Sequence, residues 1–174
     1  MTPDDRHQIA ALADPNLGQY FLVSPKKLAK LVSAAGIRST DDVIEVGAGV
    51  GTVARVLPES RSLTLVEFDA RLLGLLRQNA PQAHVIHGDA LEIIKTISFD
   101  VLIGNLPHGV TEILLGMLPD LSFRTAVLSV ADSADLGRLG ADLAWSDVET
   151  VTGDDFLPPQ PGISRIVRVA RARS

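Results

Sequence analysis

Four groups of residues in this chain have the types and spacing of a ligand site. They are Glu45 with the turn Gly47-Ala48-Gly49-Val50-Gly51, then Glu67, then Asp89, then Asn105-Leu106-Pro107-His108. Glycine carries no side chain, so a turn built from it lets a ligand lie against bare backbone. A dinucleotide turn is spaced G-x-G-x-x-G, its glycines serving a pyrophosphate. Here the spacing is G-x-G-x-G, Thr52 stands at the third glycine's place, and Glu45 precedes the first glycine by two residues, where it would repel a diphosphate. A ligand with an ammonium and a sulfonium and no phosphate, such as S-adenosylmethionine, suits that arrangement better. Glu67, 20 residues after Gly47, has the chemistry to accept both hydroxyl protons of a ribose. Asp89 either accepts from an exocyclic amino group such as adenine N6 or caps the helix after it.

The tetrapeptide Asn105-Leu106-Pro107-His108 adds a second kind of chemistry. An amine conjugated to a ring is a poor nucleophile, because its lone pair is delocalised. Two acceptors, the Asn105 side-chain oxygen and the Leu106 carbonyl, would hold both N–H groups and turn the lone pair outward. Such preorganised hydrogen bonds contribute a few kcal/mol in a dry site, and alignment with a methyl donor contributes more. Pro107 stiffens the turn. The bland reading, an ordinary strand-to-helix turn, uses the same residue types.

These groups need elements to bring them together, and the pattern of the chain supplies them. Val43, Ile44 and Val46 form a short apolar strand into the glycine turn, with a helix expected over Thr52–Leu57 and stopped by Pro58. Further strands are expected at Leu63–Glu67, His84–His87, Phe99–Gly104 and Thr125–Val130, each placing one candidate group or a turn at its end. Helices carry Leu72, Leu73, Leu75 and Leu76 after a cap at Asp69, and run from about Thr111 to Leu118. A helix-or-loop segment reaches Trp145, and two last strands, Val148–Thr152 and Ser164–Ala170, have no helix between them. Upstream, Thr2-Pro3-Asp4-Asp5 reads as one helix start, and Ser24-Pro25 begins a second helix with Leu28, Leu31, Val32 and Ala35 on one face and Gly36 at its end. Alternating strands and helices predict an α/β fold: a Rossmann-like, doubly wound, mostly parallel seven-stranded sheet with an antiparallel C-terminal hairpin. In such a sheet the strand ends meet at one crevice.

Composition excludes several classes. At 174 residues the chain suits a single domain, with residues 1–40 as N-terminal helices and a segment covering the cofactor, and 41–174 as the core. There is no Cys, which removes disulfides and thiolate metal sites, and the four His are not spaced as zinc ligands. No metal is expected. No apolar run approaches the roughly 18 residues of a membrane span, and the polar start is unlike a signal peptide, so a cytoplasmic protein is expected, with no membrane partner.

The whole pattern resembles the ribosomal RNA adenine N6-dimethyltransferases and their macrolide-resistance relatives. The resemblance rests on Gly18-Gln19-Tyr20-Phe21-Leu22, Glu45-Val46-Gly47-Ala48-Gly49, Val66-Glu67-Phe68-Asp69, His87-Gly88-Asp89-Ala90, Gly104-Asn105-Leu106-Pro107 and Phe156-Leu157-Pro158-Pro159-Gln160-Pro161-Gly162-Ile163-Ser164. It implies S-adenosylmethionine contacts at Gln19, Tyr20, Leu22, Gly47, Glu67, Asp89 and Asn105, with Glu45, Gly49 and Ala90 in the same motifs. It further implies a target amine at Asn105 to His108, with Phe156 beside His108 in the acceptor pocket.

The departures are specific. His108 replaces the family's Tyr or Phe, so it can stack, hydrogen-bond or take a proton. Tyr20 replaces an Asn or His, residues 131–144 look shortened, and the family's helical C-terminal domain is not expected within this chain. From Pro81 to Gln160 three basic residues (Lys95, Arg124, Arg138) face twelve acidic ones, a balance of −9, which argues against a long RNA footprint there. Lys26, Lys27, Lys30, Arg165, Arg168, Arg171 and Arg173 form either a separate RNA patch or an ordinary solvated face. The expected activity is N-methyl transfer from S-adenosylmethionine to an exocyclic or primary amine. Ribosomal RNA is one acceptor and a small-molecule or peptide amine the other. A non-catalytic cofactor-binding partner subunit is the third reading, and the sequence leaves a homo-oligomer open.

Overall fold

The computed structural model describes residues 3–172. In chain order the elements are α1 (Pro3–Leu12), β1 (Phe21–Leu22), α2 (Pro25–Ala35), β2 (Asp42–Val46), β3 (Ser62–Glu67), α3 (Leu73–Asn79), β4 (His84–His87), α4 (Ala90–Ile93), β5 (Val101–Gly104), α5 (His108–Met117), β6 (Thr125–Ala131), β7 (Leu143–Val151), β8 (Phe156–Leu157) and β9 (Ser164–Arg171). Seven strands form one sheet in the order β4-β3-β2-β5-β6-β9-β7. The first five are parallel, while β9 runs antiparallel to both β6 and β7. The order reverses at β2 and β5, so a crevice opens beyond their carboxyl ends.

Side-chain alternation divides the core between the two faces of this sheet. Val43, Val101, Ile103 and Val127 pack on Leu28, Leu31 and Ala35 of α2. Ile44, Leu102, Ala126 and Leu128 pack on Leu114 and Leu115 of α5. A third cluster joins Leu65 of β3 to Leu73 and Leu76 of α3. Helix α2 starts after Ser24 with Pro25 in its first turn, and ends at Gly36 with φ of 53°, as the sequence predicts. The Thr2 cap lies outside the described residues.

A separate two-stranded sheet pairs β1 with β8 antiparallel, Phe21 opposite Leu157 and Leu22 opposite Phe156. The Val23 N–H extends it by donating to the Asp155 carbonyl at 2.9 Å. This small sheet ties the N-terminal segment to the loop before β9 and stands at the mouth of the crevice.

Three local expectations are corrected. Thr52–Leu57 holds only a 3-10 turn at Ala54–Val56. Between Gly51, with φ of 82°, and Pro58 there is room for one turn, too little to offset helix nucleation. Asp69 does not cap α3, which begins after Leu72, but accepts from the Arg71 N–H at 2.9 Å in a turn of its own. The segment expected as helix or loop up to Trp145 instead enters β7 at Leu143. This strand forms the sheet edge, its residues from Ala144 to Asp147 are exposed, and its register shifts between Asp147 and Glu149. A solvated edge strand lacks the apolar alternation by which strands are read. The last two long strands do pair antiparallel, with β9 lying inside the sheet between β6 and β7.

Leu31, fully buried on α2, joins the N-terminal helix to the sheet. Leu31→Ala is expected to lower unfolding free energy by about 2 to 5 kcal/mol, read from urea denaturation, with α2 the first segment to lose amide-exchange protection.

A cleft and a pocket that meet at Asn105

The turn after β2 has Gly47, Gly49 and Gly51 at φ of 67°, 58° and 82°. L side chains rarely adopt this region, and the neighbours exclude them as well. A Cβ on Gly47 would strike the Leu106 side chain, and one on Gly49 would meet the Phe21 ring at 2.7 Å. The turn is therefore clasped between the N-terminal segment and the loop after β5. In front of it lies a cleft of about 590 Å³, lined among others by Gln19, Tyr20, Gly47, Gly49, Glu67, Asp89, Ala90, Asn105, Leu106 and Pro107. A second pocket of about 150 Å³ adjoins it, lined by Tyr20, Asn105, Leu106, Pro107, His108, Ser129 and Gln160 among others. Asn105 belongs to both.

Glu67 ends β3 with its carboxylate 7% exposed as a residue. Its Oε2 accepts the Gly49 N–H at 2.7 Å, and its Oε1 accepts the Asp69 N–H at 2.8 Å. Each oxygen keeps a second lone pair, so the group is oriented and still able to accept from a ligand. Asp89 does what its helix-capping reading requires, its Oδ1 accepting from the Leu91 N–H at 2.9 Å, while its side chain is exposed on the cleft wall.

Gln19 spans the cleft's covering loop. Its Oε1 accepts the Asp14 N–H at 2.9 Å and its Nε2 donates to Asp69 Oδ2 at 2.8 Å. Arg71, through its hydrogen bonds, and then Gln19 hold the Asp69 carboxyl well below the usual carboxylate range. The cleft is acidic: Asp14, Glu67, Asp69 and Asp89 line it, and its one arginine, Arg71, is paired with Asp69.

At Asn105 the geometry is directional. Its Nδ2 donates to the Tyr20 carbonyl at 3.2 Å. A carbonyl only accepts, so the amide nitrogen faces Tyr20 and Oδ1 is left as an acceptor. The Leu106 carbonyl takes a 3.3 Å hydrogen bond from the Thr111 hydroxyl and retains a lone pair. His108 Nε2 lies 3.1 Å from Ser164 Oγ and 3.3 Å from Gln160 Nε2.

Three sequence-derived candidates are not on the cleft surface. Leu22 and Phe156 are buried in the core on the α2 face, 1% and 2% exposed, beneath Tyr20. Pairing across β1 and β8 turns both inward. Glu45 lies on the sheet face shared with Val43, 2% exposed, and its Oε2 has no partner among the described residues. Burial, and secondly the charge of Glu67, push the Glu45 carboxyl up to about 8.

Sequence reasoning passed over Phe68, 74% exposed on the cleft wall beside Glu67. It also passed over the Asp69 and Arg71 pair and over His87, whose Nε2–H donates to the Phe68 carbonyl at 3.0 Å. The signal for Phe68 was an aromatic residue directly after a strand-ending carboxylate. Several basic residues of the candidate patch are engaged locally: Lys27 with Glu149 at 3.1 Å, Arg165 with Asp147 at 2.8 Å and Arg171 with the Pro119 and Leu121 carbonyls. Arg173 lies outside the described residues. No group of three or more His, Asp or Glu placed to hold a metal, and no helix long and apolar enough to cross a membrane, occurs among the described residues.

The strand order, the antiparallel β9 and a glycine-turn cleft at the strand ends define the Rossmann-like fold of class I methyltransferases. A family model described as ribosomal RNA adenine dimethylase matches residues 11–129. The chain belongs to that family. A ribosomal RNA small subunit methyltransferase A from Dehalococcoides mccartyi is 30% identical over 185 residues, covering 91% of this chain and 62% of that protein. The chain thus spans under two thirds of that relative's length. A solved dimethyladenosine transferase from Plasmodium falciparum superposes with TM-score 0.77 at 25% identity, covering 87% of this chain and 63% of that one. The 23S rRNA methyltransferase ErmE does so with TM-score 0.74 at 26% identity, over 88% of this chain and 70% of that one.

Glu45 yields a testable consequence. A carboxyl whose folded pKa is raised from the ordinary 4.5 to about 8 keeps its proton in the native state after the unfolded chain has released it. Its contribution is then fully present below about pH 4.5 and is lost as pH rises through about 8. Glu45→Gln, in urea denaturation, is expected to lose less stability than the wild type over that window. Its stability relative to the wild type should rise by on the order of 4 kcal/mol between about pH 4.5 and pH 8. Parallel pH profiles for the two proteins would contradict an uncompensated buried carboxyl.

Proposed function

We propose that the 590 Å³ cleft holds S-adenosylmethionine and that the adjoining 150 Å³ pocket holds the amine-bearing ring of an RNA adenine, which receives the methyl group. The observation that carries this reading is Asn105. It stands where the two spaces meet, its nitrogen occupied by the Tyr20 carbonyl and its Oδ1 left to accept from an amine.

The cleft suits that cofactor chemically. Four carboxylates and a single paired cation favour a ligand carrying an ammonium and a sulfonium over a diphosphate. The bare turn at Gly47 and Gly49 gives room for close approach, and Glu67 keeps lone pairs for ribose hydroxyls. Asp89 would take the adenine amino group with the oxygen that does not cap α4, and Phe68 offers an exposed ring beside it. The orphaned Glu45 Oε2 lies behind the turn, where a nearby cation would favour its charged form.

When bound, S-adenosylmethionine supplies an electrophilic methyl group. Asn105 Oδ1 and the Leu106 carbonyl accept the two N–H groups of the amine, which leaves the nitrogen lone pair free for in-line attack on the methyl carbon. Methyl transfer would leave the amine with one proton in excess, and water would take it, so no side chain of the pocket is required as a base. Pro107 and the close contact of Gly18 with it, a Cβ there meeting Pro107 Cβ at 3.0 Å, stiffen the loop that makes this geometry.

RNA as acceptor rests on the relatives, whose names place them on ribosomal RNA. The balance of −9 between residues 81 and 160 favours the second reading, the same transfer to a small-molecule or peptide amine.

Labelled methyl transfer from S-adenosylmethionine, offered ribosomal RNA particles and a small-molecule extract in parallel, tests both. Label in RNA that maps to adenine N6 is the expected result. Label only in the extract would replace RNA as the acceptor. Asn105→Ala should lower kcat about 100-fold, with a smaller loss of affinity for the cofactor, whose cleft Asn105 also lines. Undiminished turnover in that variant would remove the amine site from Asn105, and no transfer by wild type to either pool would favour a cofactor-binding subunit.

A further inference from the structure

The 150 Å³ pocket has a wall that the methyl-transfer chemistry does not use. The pocket is small, and it opens directly onto the cleft at Tyr20, Asn105, Leu106 and Pro107. His108 opens α5 on one side of it, and Gln160, from the loop between β8 and β9, stands on the other. Ser164, fully buried at the start of β9, lies against both.

The three polar groups form a closed triangle. Gln160 Nε2 donates to Ser164 Oγ at 2.8 Å and faces His108 Nε2 at 3.3 Å, while Ser164 Oγ lies 3.1 Å from the same ring nitrogen. An amide nitrogen donates and has no lone pair to offer, so the ring nitrogen facing it must accept. The neutral imidazole then carries its proton on Nδ1. That atom has no hydrogen-bond partner among the described residues. The triangle is held from outside as well: the Gln160 N–H donates to the Gly153 carbonyl at 3.3 Å. The two segments also press so closely that a Cβ on Gly153 would meet the Gln160 carbonyl oxygen at 2.5 Å.

We propose that Gln160 and Ser164 are positioning residues that hold His108 with Nδ1–H as the donor offered to the acceptor ring. The pocket then selects an amine-bearing heterocycle with a hydrogen-bond-accepting ring nitrogen over an amine that lacks one. The inference rests on the methyl-transfer reading for the reaction and on the triangle alone for the tautomer. An aromatic residue at 108 would read only the face of a ring, and every base has a face. A fixed donor reads a lone pair, and a site built around a hydrogen bond rejects an analogue that cannot complete it.

The test has two arms. In the first, nitrogen-15 NMR of the ring of His108 in the ligand-free protein reports the tautomer without any turnover. The proton is expected on Nδ1 in wild type and on Nε2 in Gln160→Glu, where a carboxylate faces the ring. Gln160→Met, which keeps the loop filled, serves if the charged variant fails to fold, and it should give a mixture of tautomers.

In the second arm, methyl transfer is measured on short RNA oligomers containing adenine, 1-deazaadenine or 7-deazaadenine. Wild type should lose at least tenfold in kcat/KM on one of the deaza oligomers, His108→Phe should lose nothing further on that swap, and the cofactor's KM should stay the same throughout. An Nε2–H tautomer in wild type overturns the assignment, and an equal loss in His108→Phe overturns the role given to His108. If no oligomer is methylated, the RNA reading fails, while the spectrum still decides the triangle.

Discussion

Three glycines at positive φ in the turn after β2 are the constraint on which the rest of the site depends. Because positions 47 and 49 have no Cβ, Leu106 packs on one side of the turn and Phe21 on the other. Leu106 belongs to the loop that carries Asn105, and Phe21 to the strand that covers the cleft. A side chain on either glycine would push apart the loop that carries Asn105 and the strand that covers the cleft. The spacing of the cleft from the adjoining pocket is thus set by backbone that no side chain thickens.

Around that turn the electrostatics are one-sided. Glu67 is oriented by two backbone N–H groups, Asp69 is held ionised by Arg71 and Gln19, and Glu45 is buried with its Oε2 unpartnered among the described residues. Placing acceptors with spare lone pairs in front of the turn and an unsatisfied carboxyl behind it is costly in the free protein. On the reading proposed above, that cost prepares the space for a ligand that is rich in donors and positively charged. Phosphate would meet four carboxylates and a single arginine that is already paired.

Beyond Asn105 the molecule departs from the family pattern. The position at which the family stacks a Tyr or Phe carries His108, locked by Gln160 and Ser164 in a triangle of hydrogen bonds. A flat apolar platform is replaced there by a ring whose Nε2 has two polar neighbours. The acidic stretch from 81 to 160 and the local pairing of Lys27 and Arg165 leave less free positive charge for a nucleic-acid backbone. Recognition then falls more heavily on the pocket itself.

The parallel sheet, the glycine turn and the four strand-end groups were legible in the sequence, because each depends on local chemistry: alternating apolar residues, a glycine spacing, a carboxylate or amide directly after a strand. The faces of residues governed by distant pairing were not. Leu22 and Phe156 stand in recognisable motifs, yet their side chains turn into the core because β1 and β8, far apart in the chain, pair with each other. The edge strand β7 carries polar residues, since water covers it, and so it hid its own periodicity. Gln160 stands in a recognisable motif too, yet its contact with His108 exists only once β9 takes its place between β6 and β7 and brings Ser164 under His108. Sequence alone determined which chemical groups end the strands, since that order is covalent. Which of them share one pocket was decided only by the tertiary structure, because contact across the sheet depends on strand order and on the face each side chain takes.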